Sequence, residues 1–207
     1  MKYRNIPNET IRRLPIYMRA LLFSKEQGRQ SISSQDLSRF IGTNSAQIRK
    51  DFSYFGDFGT KGVGYNIDNL VKEIKKILKL DIDKRVALVG VGNLGSAVIA
   101  YPGFKMFGFD ITAAFDIDPK KISRKIKNIV IENISKIPSL RDKEINLAII
   151  AVPRQAAQEM TDALVKAGVT GILNFSPCYI TVPKKVKVIT IDIAMDLARL
   201  PYYVPAS

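Results

Sequence analysis

The residues best spaced to do chemistry in this 207-residue chain are Gly90-Val91-Gly92-Asn93-Leu94-Gly95. They follow a short β-branched run, Arg85-Val86-Ala87-Leu88-Val89, and precede Ser96-Ala97-Val98-Ile99-Ala100, which reads as helix. Glycines at this spacing between a strand and a helix suit a dinucleotide. The first makes the tight turn, the second lets backbone approach a pyrophosphate, and the third permits close helix–strand packing. Free N–H groups at the helix N-terminus would meet the phosphates. The next predicted strand, Ile111–Phe115, ends at Asp116, 21 residues after Gly95. A carboxylate there can accept hydrogen bonds from the ribose hydroxyls. It would also repel a 2′-phosphate, which favours NAD(H) over NADP(H), a preference that nearby Lys120 and Lys121 weaken slightly.

Equally informative is the chemistry that is missing. The chain has no His, no Trp and a single Cys, Cys178. The usual zinc sites and His-based acid–base catalysis are therefore excluded. Ser176 and Cys178 have no His partner to activate them. No Tyr-x-x-x-Lys pair follows a strand in this region, so a dehydrogenase would lack an obvious proton donor. A nucleotide fold without catalytic groups suggests that the nucleotide is a signal, and the chain reads as a non-enzyme.

The elements that must position these glycines alternate between strand and helix. Further strands are expected at Leu147–Ala151, Gly171–Asn174 and Lys187–Ile191, with a helix at Arg154–Ala167. That spacing gives right-handed crossovers in a doubly wound parallel sheet. Val152, Pro153, Asn174 and Phe175 lie at or just past strand C-termini, where such sheets bind ligands, and they join the candidate cofactor residues. An amphipathic helix at about Ile193–Leu200 and a short tail close the chain.

The first 80 residues read differently. A helix from about Glu9 to Gln27 carries Pro15 as a kink or break. Ser33-Ser34-Gln35-Asp36 resembles a helix N-cap, Leu37, Phe40 and Ile41 make an apolar stripe, and Gly42 ends the helix. Asn44 or Ser45 can cap the next helix, Ser45–Phe55, and the pair makes a helix-turn-helix candidate. At 100° per residue Ile48, Phe52 and Phe55 fall within about 60° of each other and form a buried face. Gln47, Lys50, Ser53 and Tyr54 fall opposite, with Arg49 at the edge, a set suited to base edges and phosphates in a major groove. The candidate DNA-binding residues are Ser45, Gln47, Arg49, Lys50, Tyr54 and Lys61. Gly56–Tyr65 holds four glycines and aromatics, as in a tight hairpin, and a hairpin after a recognition helix is a wing with Lys61 at its tip. A helix from about Asp68 to Leu80 then leads to the boundary.

Composition supports this division. Lys and Arg number 32 against 19 Asp and Glu, a net charge of +13. Residues 1–80 hold fifteen of the cations and only seven of the acids, so the shorter part carries the larger excess. Such an excess favours a polyanion. The 46% hydrophobic and 25% charged composition is that of a globular protein. No apolar run approaches the ~20 residues needed to span a bilayer, and the N-terminus does not read as a signal peptide. A lone cysteine suits a reducing cytoplasm. The expected domains are 1–80, a winged-helix DNA-binding domain; 81–191, a Rossmann-like NAD(H)-binding domain; and 192–207, a C-terminal helix.

Several motifs occur in order: Arg13-Leu14-Pro15, Ile32-Ser33-Ser34, Ala46–Gly56, Gly62-Val63-Gly64-Tyr65, Val89–Gly95, Tyr101-Pro102-Gly103-Phe104, Phe115–Pro119 and Asn174-Phe175-Ser176-Pro177. Together they resemble the bacterial redox-sensing transcriptional repressor family Rex, over nearly the whole chain. The resemblance implies a homodimer that binds palindromic, A·T-rich operators of fermentative or anaerobic genes and is released by NADH. It also implies that the last helix, around Asp192–Leu200, is exchanged between subunits. Tyr101 would then lie near the nicotinamide and join a state-dependent polar set with Arg19 and Asp192 of the partner subunit. Gly90 to Gly95 and Asp116 would hold the dinucleotide, and Gln47, Arg49, Lys50 and Lys61 would face DNA. The competing readings are an NAD-dependent oxidoreductase and a CoA-binding module, each with an accessory helix-turn-helix domain.

Overall fold

The computed structural model describes residues 6–56, 58–60 and 64–204. The chain divides into two compact units, Met1–Ile82 and Asp83–Ser207.

In the first unit helix α1, Asn8–Glu26, runs through Pro15, which is exposed. That proline removes one N–H bond, and the helix continues on its buried face of Leu14, Tyr17, Met18 and Leu21. Strand β1, Ser31–Ile32, leads into α2, Ser34–Ile41. Ser33 caps α2 by accepting the Asp36 N–H at 3.0 Å, and Gly42 ends it in the left-handed conformation at φ 66°. Helix α3 spans Ser45–Ser53, and Asn44 caps it through the Ala46 N–H at 2.7 Å. It stops before Tyr54 and Phe55, two residues short of the sequence expectation. Strands β2, Gly59–Thr60, and β3, Gly64–Asn66, pair antiparallel and, with β1, form a sheet of order β1-β3-β2. Helix α4, Ile67–Ile77, completes a winged helix-turn-helix. The wing tip, with Lys61, lies outside the described residues.

The second unit is a seven-stranded sheet. In chain order it comprises β4 (Lys84–Val89), α5 (Asn93–Ala100), α6 (Gly103–Met106), β5 (Phe109–Asp116), β6 (Lys125–Ile126), β7 (Ile129–Asn133), a 3-10 turn (Ile134–Leu140), β8 (Leu147–Ile150), α7 (Arg154–Lys166), β9 (Gly171–Asn174) and β10 (Lys187–Thr190). The order is β10-β9-β8-β4-β5-β7-β6, parallel except for edge strand β6. Hairpin β6–β7 was not foreseen from the sequence: a two-residue strand leaves no readable period. Two layers of core flank the sheet. Ala87, Val89, Phe115, Ile150, Met160 and Leu164 pack with α7 on one face. Val86, Leu88, Val98, Ile99 and Ile111 pack with α5 on the other. This is a Rossmann-like α/β fold.

The C-terminal segment departs from expectation. Instead of one helix it forms α8, Ile193–Leu197, and α9, Leu200–Tyr203, and every residue from 193 to 204 is exposed. The proline at position 201 favours the start of a second helix over extension of the first.

Candidate functional site

In the sheet, the register fixes where a ligand can lie. Val89 is level with Phe115 and Ile150, and Ile150 with Asn174. The carboxyl ends of β4, β5, β8 and β9 therefore finish together, bringing Gly90, Asp116, Val152 and Phe175 to one rim. The chain leaves β4 for β5 on one side and reaches β8 on the other, so this rim is at a topological switch point.

The three glycines of the turn are needed for different reasons. Gly90 has φ +92°, and a Cβ there would lie 2.4 Å from Ala151 O and 2.8 Å from Val152 Cγ1. A Cβ on Gly95 would lie 2.0 Å from Gly90 O. Both are required by the chain itself. Gly92 is not: a Cβ there meets nothing within 4 Å, and its extended backbone (φ −83°, ψ −160°) suits any residue. The space over Gly92, at the N-terminus of α5 where no side chain caps the helix, fits a pyrophosphate. Asn93 and Leu94 are exposed beside it.

Asp116 is only 6% exposed. Its Oδ2 accepts the Val91 N–H at 2.8 Å and Lys121 Nζ at 3.1 Å, and its Oδ1 accepts the Asp118 N–H at 2.9 Å. Burial alone would raise its pKa, but these bonds together lower it. The carboxylate thus anchors the glycine turn to β5, a task the sequence did not reveal. Lys121 further offsets any repulsion of a 2′-phosphate.

Asn174 has a structural task at the end of β9. It is fully buried, accepts the Ser176 N–H at 2.9 Å and donates to Ser176 O, Cys178 O and Thr190 Oγ1. Its side chain holds the loop after β9. Pro153 is exposed at the start of α7, and Phe175 packs with the α5-side core. Tyr101 stands at the C-terminal end of α5, about 12 Å along the helix from Asn93 at ~1.5 Å per residue. Within one chain it is not brought to the glycine turn. It is 55% exposed, and its ring lies against Phe104 and Gly103. Asp192 caps α8 through the Ala194 and Met195 N–H groups, and Arg19 lies in the other unit, exposed on α1.

In the first unit α3 presents Arg49 and Lys50, both exposed, and Tyr54 just past its end. Arg49 Nη1 is steadied by Ser34 Oγ of α2 at 2.9 Å, and Ser45 is half-buried at the first turn. Gln47, also on α3, is half-buried and donates to Asp51, so its amide is held rather than freely solvated.

Asp51 is the residue that sequence reasoning missed. It is fully buried and accepts from Arg13 Nε (2.6 Å) and Nη2 (2.8 Å), Tyr17 OH (2.5 Å), Thr10 Oγ1 (3.0 Å) and Gln47 Nε2 (2.9 Å). This network ties the candidate recognition helix to α1. Its signal was present: Asp51 lies in the apolar stripe of Ile48, Phe52 and Phe55, where a charge requires a cation. Burial pushes its pKa up, but Arg13, Tyr17, Gln47 and Thr10 outweigh this and hold it at about 2. A carboxyl depressed in the folded state stabilises above its unfolded value of about 3.9 and loses that contribution as pH falls through the folded value. The first unit should therefore lose about 2 kcal/mol between about pH 4 and pH 2. Urea midpoints followed by far-UV circular dichroism check this, and an Asp51→Asn chain should show a flatter acid limb.

Among the described residues no group of three or more His, Cys, Asp or Glu could hold a metal, and no helix is long and apolar enough to cross a membrane. A winged helix with an exposed basic recognition helix, in one chain with a Rossmann-like unit whose middle glycine leaves room for a pyrophosphate, defines a nucleotide-responsive transcription regulator. Comparison with known proteins narrows this class. Residues 5–53 match the DNA-binding protein N-terminus family and residues 81–178 the CoA binding domain family. The chain is 45% identical over 198 residues to the redox-sensing transcriptional repressor Rex of Chloroflexus aurantiacus, covering 95% of this chain and 93% of that one. It is 43% identical over 205 residues to Rex of Syntrophobacter fumaroxidans, covering 98% of each. Among solved structures, RSP in complex with beta-NAD+ and operator DNA superposes with a TM-score of 0.88 at 34% identity, over 96% of this chain and 92% of that one. RSP in complex with beta-NADH gives 0.86 at 32% identity, over 96% and 93%. The chain belongs to the Rex family of redox-sensing transcriptional repressors.

Proposed function

We propose that this chain works as a homodimer that holds a palindromic, A·T-rich operator of fermentative or anaerobic metabolism genes and releases it when NADH fills the Rossmann-like unit. The observation that carries the reading is the open space over Gly92, which the fold itself does not require. The supporting comparison is RSP, whose structures contain NAD+ with operator DNA, or NADH.

Gly90 to Gly95 receive the pyrophosphate through backbone, and Asp116 keeps that turn in place, its Oδ1 accepting one bond among the described residues and so retaining capacity for a ribose hydroxyl. Val152, Pro153 and Phe175 line the rim toward the nicotinamide. The ligand supplies one change of charge: its ring is cationic when oxidised and neutral when reduced. An apolar pocket closed between subunits admits the neutral ring more readily, because desolvating an unpaired charge costs several kcal/mol. NADH then favours the closed dimer only by its differential affinity for the two states, and operator DNA weakens NADH by the same factor.

The C-terminal segment supports exchange between subunits. Ile193, Met195, Leu197, Leu200, Tyr202 and Tyr203 are each more than half exposed, an apolar run that the described residues leave largely uncovered. Arg19, Tyr101 and Asp192 are the switch residues of this reading. Ser45, Gln47, Arg49, Lys50, Tyr54 and Lys61 face DNA. The protein is a cytoplasmic regulator rather than an enzyme, consistent with a chain that has no histidine to move protons.

The test is a gel-shift on a palindromic A·T-rich duplex with NADH, NAD+ or CoA added in turn. NADH is expected to release the duplex and the other two to leave it bound. A complex indifferent to saturating NADH would overturn the reading, and release by CoA alone would replace it with a CoA-responsive regulator.

A further inference from the structure

The Gln47 amide is not free to choose which end it shows. Gln47 is the third residue of α3, in the turn whose side chains reach base edges when such a helix enters a major groove. Its Nε2 donates to Asp51 Oδ1 at 2.9 Å, one turn along the same helix. Asp51 is buried, and both its oxygens also accept from Arg13, with Tyr17 and Thr10 adding one bond each. An ionised carboxylate has no proton to give, so the nitrogen of Gln47 must face it and Oε1 must face away. A solvated glutamine turns its amide either way and can meet a donor or an acceptor. Here one orientation is selected before any DNA arrives.

We infer that Gln47 is a specificity-determining residue of operator recognition and Asp51 its positioning residue, the locked amide offering Oε1 to a base edge that carries an exocyclic N–H. The inference rests on the operator-binding reading above. In the major groove adenine N6 and cytosine N4 are donors, whereas guanine O6 and thymine O4 are acceptors. Adenine fits best, because its N7 can also meet the remaining N–H of the amide. Guanine and thymine place an acceptor against Oε1 and are disfavoured, since only the second amide N–H could meet them. The buried charge of Asp51 thus has a consequence outside the core: it sets the polarity of one contact in each half-site.

The experiment uses the full chain and a panel of operator duplexes in which each half-site position carries each of the four base pairs in turn. Wild type, Gln47→Met and Asp51→Asn are compared, with NADH affinity and circular dichroism as controls for folding. Wild type should prefer adenine, then cytosine, at one symmetric position by roughly tenfold or more. Gln47→Met should flatten that position alone. Asp51→Asn, which lets the amide turn, should admit guanine or thymine there without altering the ranking elsewhere. A purely structural role would instead lower affinity evenly across the panel. Should Asp51→Asn fail to fold, Gln47→Met still decides: a base profile identical to wild type, or a wild-type preference for guanine or thymine wherever Gln47→Met acts, overturns the inference while operator binding stands. If wild type binds no duplex, the operator reading itself fails and this inference falls with it.

Discussion

Gly92→Val is expected to leave the fold intact and weaken NADH binding by about a hundredfold or more, close to 3 kcal/mol. The reason is the contrast within one turn. A Cβ on Gly92 meets nothing in the protein, and the backbone there is extended, so a valine costs the chain little. The space it fills is the space a pyrophosphate needs, and backbone donors cannot be reached around two methyl groups. Gly95→Ala should behave in the opposite way: its Cβ would lie 2.0 Å from Gly90 O, where α5 packs against the turn. That variant should be destabilised by about 3 kcal/mol or more, since backbone must move to admit it. Fluorescence titration with NADH and thermal unfolding by circular dichroism separate the two effects. Undiminished NADH affinity in Gly92→Val would mean that the glycine run serves the fold alone.

The double variant Arg49→Ala, Lys50→Ala should lose operator affinity by about a thousandfold or more while NADH affinity and thermal stability stay unchanged. Each cation that meets a base or phosphate is worth about 1–3 kcal/mol, and a dimer loses four of them. Both side chains are exposed on α3, and Arg49 gives up only its bond to Ser34 Oγ, so their removal costs the unit little. The signature is in the salt dependence. Every phosphate that a cation ceases to neutralise lowers the slope of log affinity against log salt by about 0.9, so the variant's slope should be shallower by up to about 4. Operator titrations between about 50 and 200 mM salt measure it. An unchanged slope would place DNA on some other surface.

What could be read in advance depended on how local the cause was. The Ser33 cap and the left-handed Gly42 at the ends of α2 follow from a few adjacent residues, and both stand as expected. So do strands β4, β5, β8 and β9, whose apolar runs are short and largely buried. Hairpin β6–β7 and the 3-10 turn after it were missed because their runs are short and lack a sustained period. The apolar spacing of the C-terminal segment is helical and predicts one element. Pro201 divides it, and its exposure depends on how the rest of the chain packs, which no spacing records.

The amino-acid order by itself determined the glycine turn, its place between strand and helix, the basic α3 and the likeness to one family, because these depend on neighbours along the chain. Only the folded molecule could assign the tasks. It turned Asn174 inward, gave Asp116 to the glycine turn, and gathered Thr10, Arg13, Tyr17 and Gln47 around Asp51 across 41 residues or fewer of intervening sequence. The physical reason is the cost of burial. A carboxylate or amide removed from water must find donors in three dimensions, and which donors lie near is fixed by how helices and strands pack, not by their order.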